Sequence, residues 1–287
     1  MAELFDHDDF GALHRDLHAT AAVMNRRSLL RLAARAGMAV GTLQLVGCGE
    51  SQTAPSVLDT ATTSTSGTGT TTSAATGGTC SQIPNETAGP YPGDGSNGPN
   101  VLTQSGVVRS DIRSSFAGLS GTADGVPLTI VLTIVSASTC APLAGRAVYL
   151  WHCDRPGRYS LYSSGVTNQN YLRGVQEADA SGRVSFTSIF PGCYAGRWPH
   201  IHFEVYPTLS SAASVSNKIA TSQIALPKSA CDLAYAQAGY EASVTNLSQV
   251  SLATDGIFSD GAALELATVS GSVASGFTAT LSVAAAA

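Results

Sequence analysis

Lysine is nearly absent from this chain: Lys218 and Lys228 are the only two in 287 residues. Charged residues make up just 12% and the formal net charge is −5, so no basic patch exists to grip a phosphate backbone, and nucleic acid is excluded as a partner. No apolar run reaches the roughly 18 residues that a membrane-spanning helix needs. No Cys-x-x-Cys pair occurs, which argues against a cysteine-based zinc site. No repeat of solenoid or propeller length is visible. Hydrophobic residues, by contrast, reach 44%. With so little charge, that composition excludes a charged disordered chain and points to a globular, β-rich domain with a neutral surface.

The chain divides into three parts. In residues 1–48, Asn25-Arg26-Arg27-Ser28-Leu29-Leu30 resembles a twin-arginine export signal, and a mild apolar run from Ala36 to Gly47 follows it. Leu45-Val46-Gly47-Cys48 resembles a lipobox, which implies a lipidated Cys48 and attachment to a membrane outside the cytoplasm. Residues 49–79 read as a flexible tether. Sixteen of the 29 residues from Ser51 to Thr79 are Ser or Thr, too little apolar surface to offset the entropy of ordering. Residues 80–287 hold the folded domain.

That domain reads as an all-β sandwich with short helical insertions. Strand-like runs occur at Leu128–Val135, Arg146–His152, Arg183–Phe190, His200–Tyr206, Thr221–Leu226 and Phe277–Val283, separated by Gly, Pro and Asp turn signals. One helix is expected, around Cys231–Ala238. Five cysteines follow Cys48, an odd number that allows at most two bridges. Cys153 with Cys193 is one candidate pair; Cys80 with Cys140 or Cys231 is another.

The chemistry gathers around Phe190–His202. His200 and His202 are two apart on a predicted strand, so their imidazoles project from one face while Ile201 turns into packing. Two imidazoles on one face can ligate a metal. The domain's remaining histidine, His152, sits at a strand end and is expected to pack or hydrogen-bond there. Glu204 shares the face but lies roughly 13 Å along the strand from His200, too far for a third ligand. Tyrosines are better placed. Tyr194 is six residues before His200, across a loop with Gly196 and Pro199, and Tyr159 follows the turn Asp154–Arg158. Two phenolates and two imidazoles form a hard donor set suited to a trivalent ion, and Fe³⁺, two phenolates and one hydroxide sum to zero charge.

In order, Thr87-Ala88-Gly89-Pro90-Tyr91, Trp151-His152-Cys153-Asp154, Gly157-Arg158-Tyr159, Leu172-Arg173-Gly174, Pro191-Gly192-Cys193-Tyr194 and Gly196-Arg197-Trp198-Pro199-His200-Ile201-His202 resemble the intradiol ring-cleavage dioxygenases, the family of catechol 1,2-dioxygenase and protocatechuate 3,4-dioxygenase. The resemblance implies Fe(III) held by Tyr159, Tyr194, His200 and His202, with Tyr194 the ligand that leaves to take a substrate proton. It implies O2 and a catechol as substrates. It also assigns Arg197 to stabilise charge on the activated ring, Gln223 to a polar position behind the iron, and Gly89 and Tyr91 to the substrate wall. The chain departs from the family in lacking the N-terminal helical dimerisation region of the catechol enzymes and in a short Tyr194–His200 loop that contains Trp198. The competing reading is a non-catalytic cell-surface β-sandwich binding module.

Overall fold

The computed structural model describes residues 80–286; the stretches read as an export signal and a tether, with Cys48, lie outside the described residues. Eight strands form two four-stranded sheets. The first contains β4 (Arg183–Ile189), β1 (Pro127–Ser136), β8 (Gly276–Ala285) and β7 (Thr268–Ser272), in that order. The second runs β3 (Arg173–Glu177), β2 (Ala147–Trp151), β5 (His200–Tyr206), β6 (Ala220–Ala225). Pairing is antiparallel throughout, except that β1 and β8 run parallel. Two helices follow β6: α1 (Lys228–Tyr235) and α2 (Glu241–Ser248). Among the described residues no helix is long and apolar enough to cross a membrane.

Strand alternation decides what lies between the sheets. Leu128, Ile130, Leu132 and Ile134 of β1 share one apolar core with Val148 and Leu150 of β2 and with Ile201, Phe203 and Val205 of β5. Every second residue of the second sheet therefore faces the other way. Ala147, Tyr149 and Trp151 of β2 and Tyr206 of β5 build a second cluster there, joined by Val101, Leu102, Tyr159 and, at its edge, Ala88 and Tyr91. The sandwich's outer face is thus covered by the loops on either side of β1 and β2, and the site forms under that cover.

The six predicted strands are present. Two more were not legible, and both are sheet edges: β3, with a glycine and two charges in five residues, and the largely exposed, polar β7. An edge strand with only one neighbour needs less apolar patterning. The predicted helix begins earlier, at Lys228, and α2 was missed because Glu-Ala-Ser-Val-Thr-Asn-Leu-Ser carries β-branched and short polar residues of modest helix propensity.

The cysteine reading is corrected in part. Cys80 and Cys140 are bridged across 60 residues, but Cys153, Cys193 and Cys231 are buried free thiols. Cys153 Sγ donates to Gly192 O at 3.4 Å and Cys193 Sγ to Arg197 O at 3.4 Å. The two loops do meet, yet each sulfur is turned to a backbone carbonyl and not to the other sulfur.

Candidate metal centre

β5 delivers His200 and His202, each 2% exposed. His200 Nδ1 lies 2.6 Å from Trp198 O, an acceptor only, so Nδ1 carries the proton and Nε2 presents its lone pair. That Nε2 is 3.1 Å from His202 Nε2 and 3.1 Å from Tyr194 Oη. Burial holds both imidazoles well below their ordinary pKa, His200 further depressed by Arg197 and His202 by its neighbour His200. Trp151 stacks on His202, centroids 4.9 Å apart and planes within 4°, which fixes the ring's plane.

Two loops bring the phenols. Asp154 O accepts from both Gly157 N and Gly192 N, tying the Tyr159 turn to the Tyr194 loop. Gly157, at φ +94°, lies so close that a Cβ there would come 3.2 Å from Tyr194 Cβ; a left-handed, side-chain-free residue is needed. Asp154 also receives Arg158 N, Arg158 Nε and Tyr171 Oη, which closes the turn just before Tyr159. The helices hold the other loop: Ser243 Oγ accepts from Cys193 N, and Asn246 Nδ2 donates to Cys193 O.

Tyr159 is buried, its ring 5.9 Å from that of Tyr194 and 6.2 Å from that of His202. Its Oη makes no hydrogen bond of normal geometry, though burial, and then the nearby Tyr194, push its pKa well above the usual phenol range. Tyr162, three residues further along the same loop, is engaged elsewhere: its hydroxyl donates to Asn97 O and accepts from Gly93 N. Tyr194 is half-buried, and burial raises it to about 12.

This donor set fits a metal ion. A buried phenol oxygen and two imidazole nitrogens with no acid to pair them is an arrangement that a cation completes. Donors about 3 Å apart are at the spacing of neighbouring ligands each about 2.1 Å from one shared ion. Among the described residues no three His, Cys, Asp or Glu side chains group to hold a metal, so tyrosine oxygens would have to complete such a set. Glu204 is unavailable: it is fully buried, 2.7 Å from Lys218 Nζ and 2.6 Å from Tyr206 Oη.

Gln223 faces His202 across the β5–β6 ladder, accepts from Arg197 Nη2 at 2.6 Å and donates to Thr87 O at 3.0 Å. It thereby joins Arg197 to the segment that carries Gly89 and Tyr91. A Cβ on Gly89 would sit 3.3 Å from His202 Cε1, at φ +69°. The Tyr91 ring lies 5.1 Å from those of both Tyr159 and Tyr162. Arg197 is buried; burial alone would depress it, but Tyr194 and Asp255 outweigh that and raise it above the ordinary guanidinium value. His152, as expected, hydrogen-bonds at its strand end, to Cys153 O and Ser188 Oγ. Sequence reasoning missed Asp255, Phe258 and the role of Arg173. None follows a local period, and each reaches the site from a distant part of the chain.

The model of the dioxygenase family, described as Dioxygenase, matches residues 98–207, a span that contains both tyrosines, Arg197 and both histidines. No curated protein matches the chain. Among solved structures, an intradiol ring-cleavage dioxygenase from Tetranychus urticae is similar, with a TM-score of 0.56 and 24% identity over 72% of this chain and 95% of its own. A second dioxygenase gives a TM-score of 0.57 at the same identity and coverage. These likenesses establish a shared fold.

Proposed function

We propose, from the match of residues 98–207 to the dioxygenase family model and from the geometry of the site, that this chain is an iron-dependent intradiol ring-cleavage dioxygenase. It opens catechol-type diols with O2, between the two hydroxylated carbons, to cis,cis-muconate-type diacids. One observation carries the reading: two neutral imidazoles and two phenols converge, their Nε2 and Oη atoms 3.1 Å apart where they touch, beside a buried arginine.

Tyr159, Tyr194, His200 and His202 would hold the ion. Bound there, Fe(III) supplies Lewis acidity and a template for the diol. The two tyrosines have different tasks because their surroundings differ. Tyr159 is sealed by Tyr91 and the Ser160 loop and stays in place. Tyr194 is half-buried, on a loop with exposed Ala195 and Gly196, and can swing away to accept a diol proton at Oη. Arg197 holds a fixed positive charge where the ring gathers negative charge, which lowers the barrier without reorganisation. Gln223 fixes Nη2 of that arginine. Gly89 and Tyr91 wall the ring, and Trp151, Trp198 and Phe258 keep water out. We further propose export by the twin-arginine route, with the domain held outside the cytoplasm by residues 49–79 and, through a lipidated Cys48, at a membrane.

The test begins with the purified protein. It is expected to contain one ferric ion, to be coloured by phenolate-to-iron charge transfer, and to take up O2 with catechol. Tyr159→Phe loses the colour or the iron, whereas Tyr162→Phe keeps both because its hydroxyl serves Asn97 and Gly93. A colourless protein with stoichiometric zinc, or no O2 uptake across a panel of catechols, overturns the proposal.

A further inference from the structure

Asp255 lies 58 residues after Arg197 and outside the span matched by the family. It is completely buried. Its Oδ2 accepts from Arg197 Nε at 2.9 Å and from Trp198 N at 2.7 Å. Its Oδ1 accepts from Ile257 N at 2.8 Å and Phe258 N at 3.0 Å. Four N–H donors therefore meet one side chain. Only a carboxylate offers two oxygens to receive them all; a carboxamide has one acceptor oxygen and would aim its own N–H at two of these donors.

This contact acts on the site in two ways. It orients Arg197: Nε is committed to Asp255 and Nη2 to Gln223, so Nη1 is the guanidinium nitrogen that no described hydrogen bond engages. It also steadies a histidine. Trp198 N is held by Asp255 while Trp198 O receives His200 Nδ1, so one peptide segment passes the constraint on to His200. Phe258, whose N–H bonds Asp255, lays its ring 6.5 Å from His200 and 5.9 Å from the Arg197 guanidinium. The turn that carries Asp255 is itself closed by Asp255 N donating to Ser251 O at 2.9 Å.

We infer that Asp255 is the positioning residue of Arg197: its carboxylate neutralises the buried guanidinium, fixes the guanidinium's orientation toward the diol ring, and so makes a segment outside the family-matched span necessary for turnover. This rests on the ring-cleavage reading above. An uncompensated Arg197 would be free to turn toward the phenols and would hold one excess positive charge beside the site.

The test is a kinetic double-mutant cycle on the iron-loaded full chain with Asp255→Asn, Arg197→Met and the double variant. D255N is expected to keep its iron stoichiometry and visible band while kcat for catechol falls roughly 10²-fold, the scale of losing one fixed charge-stabilising donor, with KM changed much less. Because Asp255 acts through Arg197, D255N should lower kcat no further in the R197M background. Metal-free protein gives a second readout: the urea midpoint falls in D255N and recovers in the double variant, where no buried charge is left unpaired. A D255N enzyme within about threefold of wild-type kcat overturns the inference, and so do losses that multiply in the double variant. If D255N cannot be recovered folded, the double variant is expected to fold; its failure while R197M folds would make Asp255 a turn residue and nothing more. An inactive wild type defeats the ring-cleavage reading itself, and is thereby told apart from an active wild type indifferent to D255N.

Discussion

Arg173, at the start of β3, offers the sharpest test of how the site is held. Arg173 is 1% exposed and forms no salt bridge among the described residues. All five of its N–H groups are nonetheless used. Nε donates to Ser160 Oγ, Nη1 to Pro92 O and Tyr149 Oη, and Nη2 to Tyr91 O and Ser160 O. Four of the acceptors belong to two stretches that meet over the outer face of the second sheet, Tyr91–Pro92 and the loop just after Tyr159, and the fifth is Tyr149 of β2 beneath them. Arg173→Met keeps the length and removes the clamp. Three acceptors retain another bond, since Tyr149 Oη still donates to Pro92 O and Ser160 Oγ to Tyr171 O. Ser160 O loses the one described partner it has, and a stranded buried carbonyl costs about 1–3 kcal/mol. Charge-assisted bonds are lost in exchange for relief of a buried cation, so the net is about 3 kcal/mol of destabilisation. For a domain of this size that moves a urea midpoint down by about 1 M. Arg173→Lys retains three donors and should lose roughly half as much. The site should weaken before the fold does: as the Tyr159 loop loosens, iron occupancy and the visible band fall at urea concentrations where the far-ultraviolet signal is still native. A R173M midpoint within about 0.2 M of wild type, or a lysine variant no better than methionine, would refute this account.

Two further outcomes follow from other parts of the domain. The Cys80–Cys140 bridge closes 60 residues, and the loop-entropy model assigns such a closure about 4 kcal/mol, so Cys80→Ser or reduction should lower the urea midpoint by more than R173M does; an unchanged midpoint would show that the bridge constrains nothing. His152 gives a pH signature. Its Nδ1–H donates to Cys153 O and its Nε2 accepts from Ser188 Oγ, and burial lowers its pKa to about 4 against 6.5 in the unfolded chain. Between these values the unfolded state binds the extra proton, so stability present above pH 6.5 is lost as pH falls toward 4, by about 3 kcal/mol in all. His152→Asn keeps the bond to Cys153 and should flatten that slope relative to wild type; parallel slopes would exclude His152 as the titrating group.

How much of this was written in the sequence depended on which geometry carried the information. His200-x-His202 was legible because strand period alone sets facing, and β5 runs over the predicted residues, with Ile201 in the core and both imidazoles outside it. Tyr159 and Tyr162 could not be separated by spacing, because both leave one irregular loop; what separates them is that the Tyr162 hydroxyl is satisfied by Asn97 and Gly93 while Tyr159 Oη is not. The cysteines show the same limit from the other side. Cys153 with Cys193 is a candidate pair in the sequence because each precedes a loop that reaches one place. The loops do, through Asp154 O, Gly157 and Gly192, but loop proximity leaves the direction of each Cα–Cβ bond undetermined, and both sulfurs point to carbonyls.

Asp255 and the role of Arg173 were invisible for a further reason. Each is a charged residue with a partner far along the chain, Arg197 58 positions from Asp255 and Tyr91 82 from Arg173, and neither stands in a periodic run that would mark it as buried. Single-sequence patterning assigns such residues to the surface by default. Their burial is nonetheless informative once seen, because an interior charge persists only where donors and acceptors are matched in number. Here five N–H groups meet five acceptors at Arg173, and four N–H groups meet two carboxylate oxygens at Asp255. The residues that would bind the metal could thus be read from strand period and motif, whereas the residues that hold the site in place were found only by completing the hydrogen-bond account of buried charges.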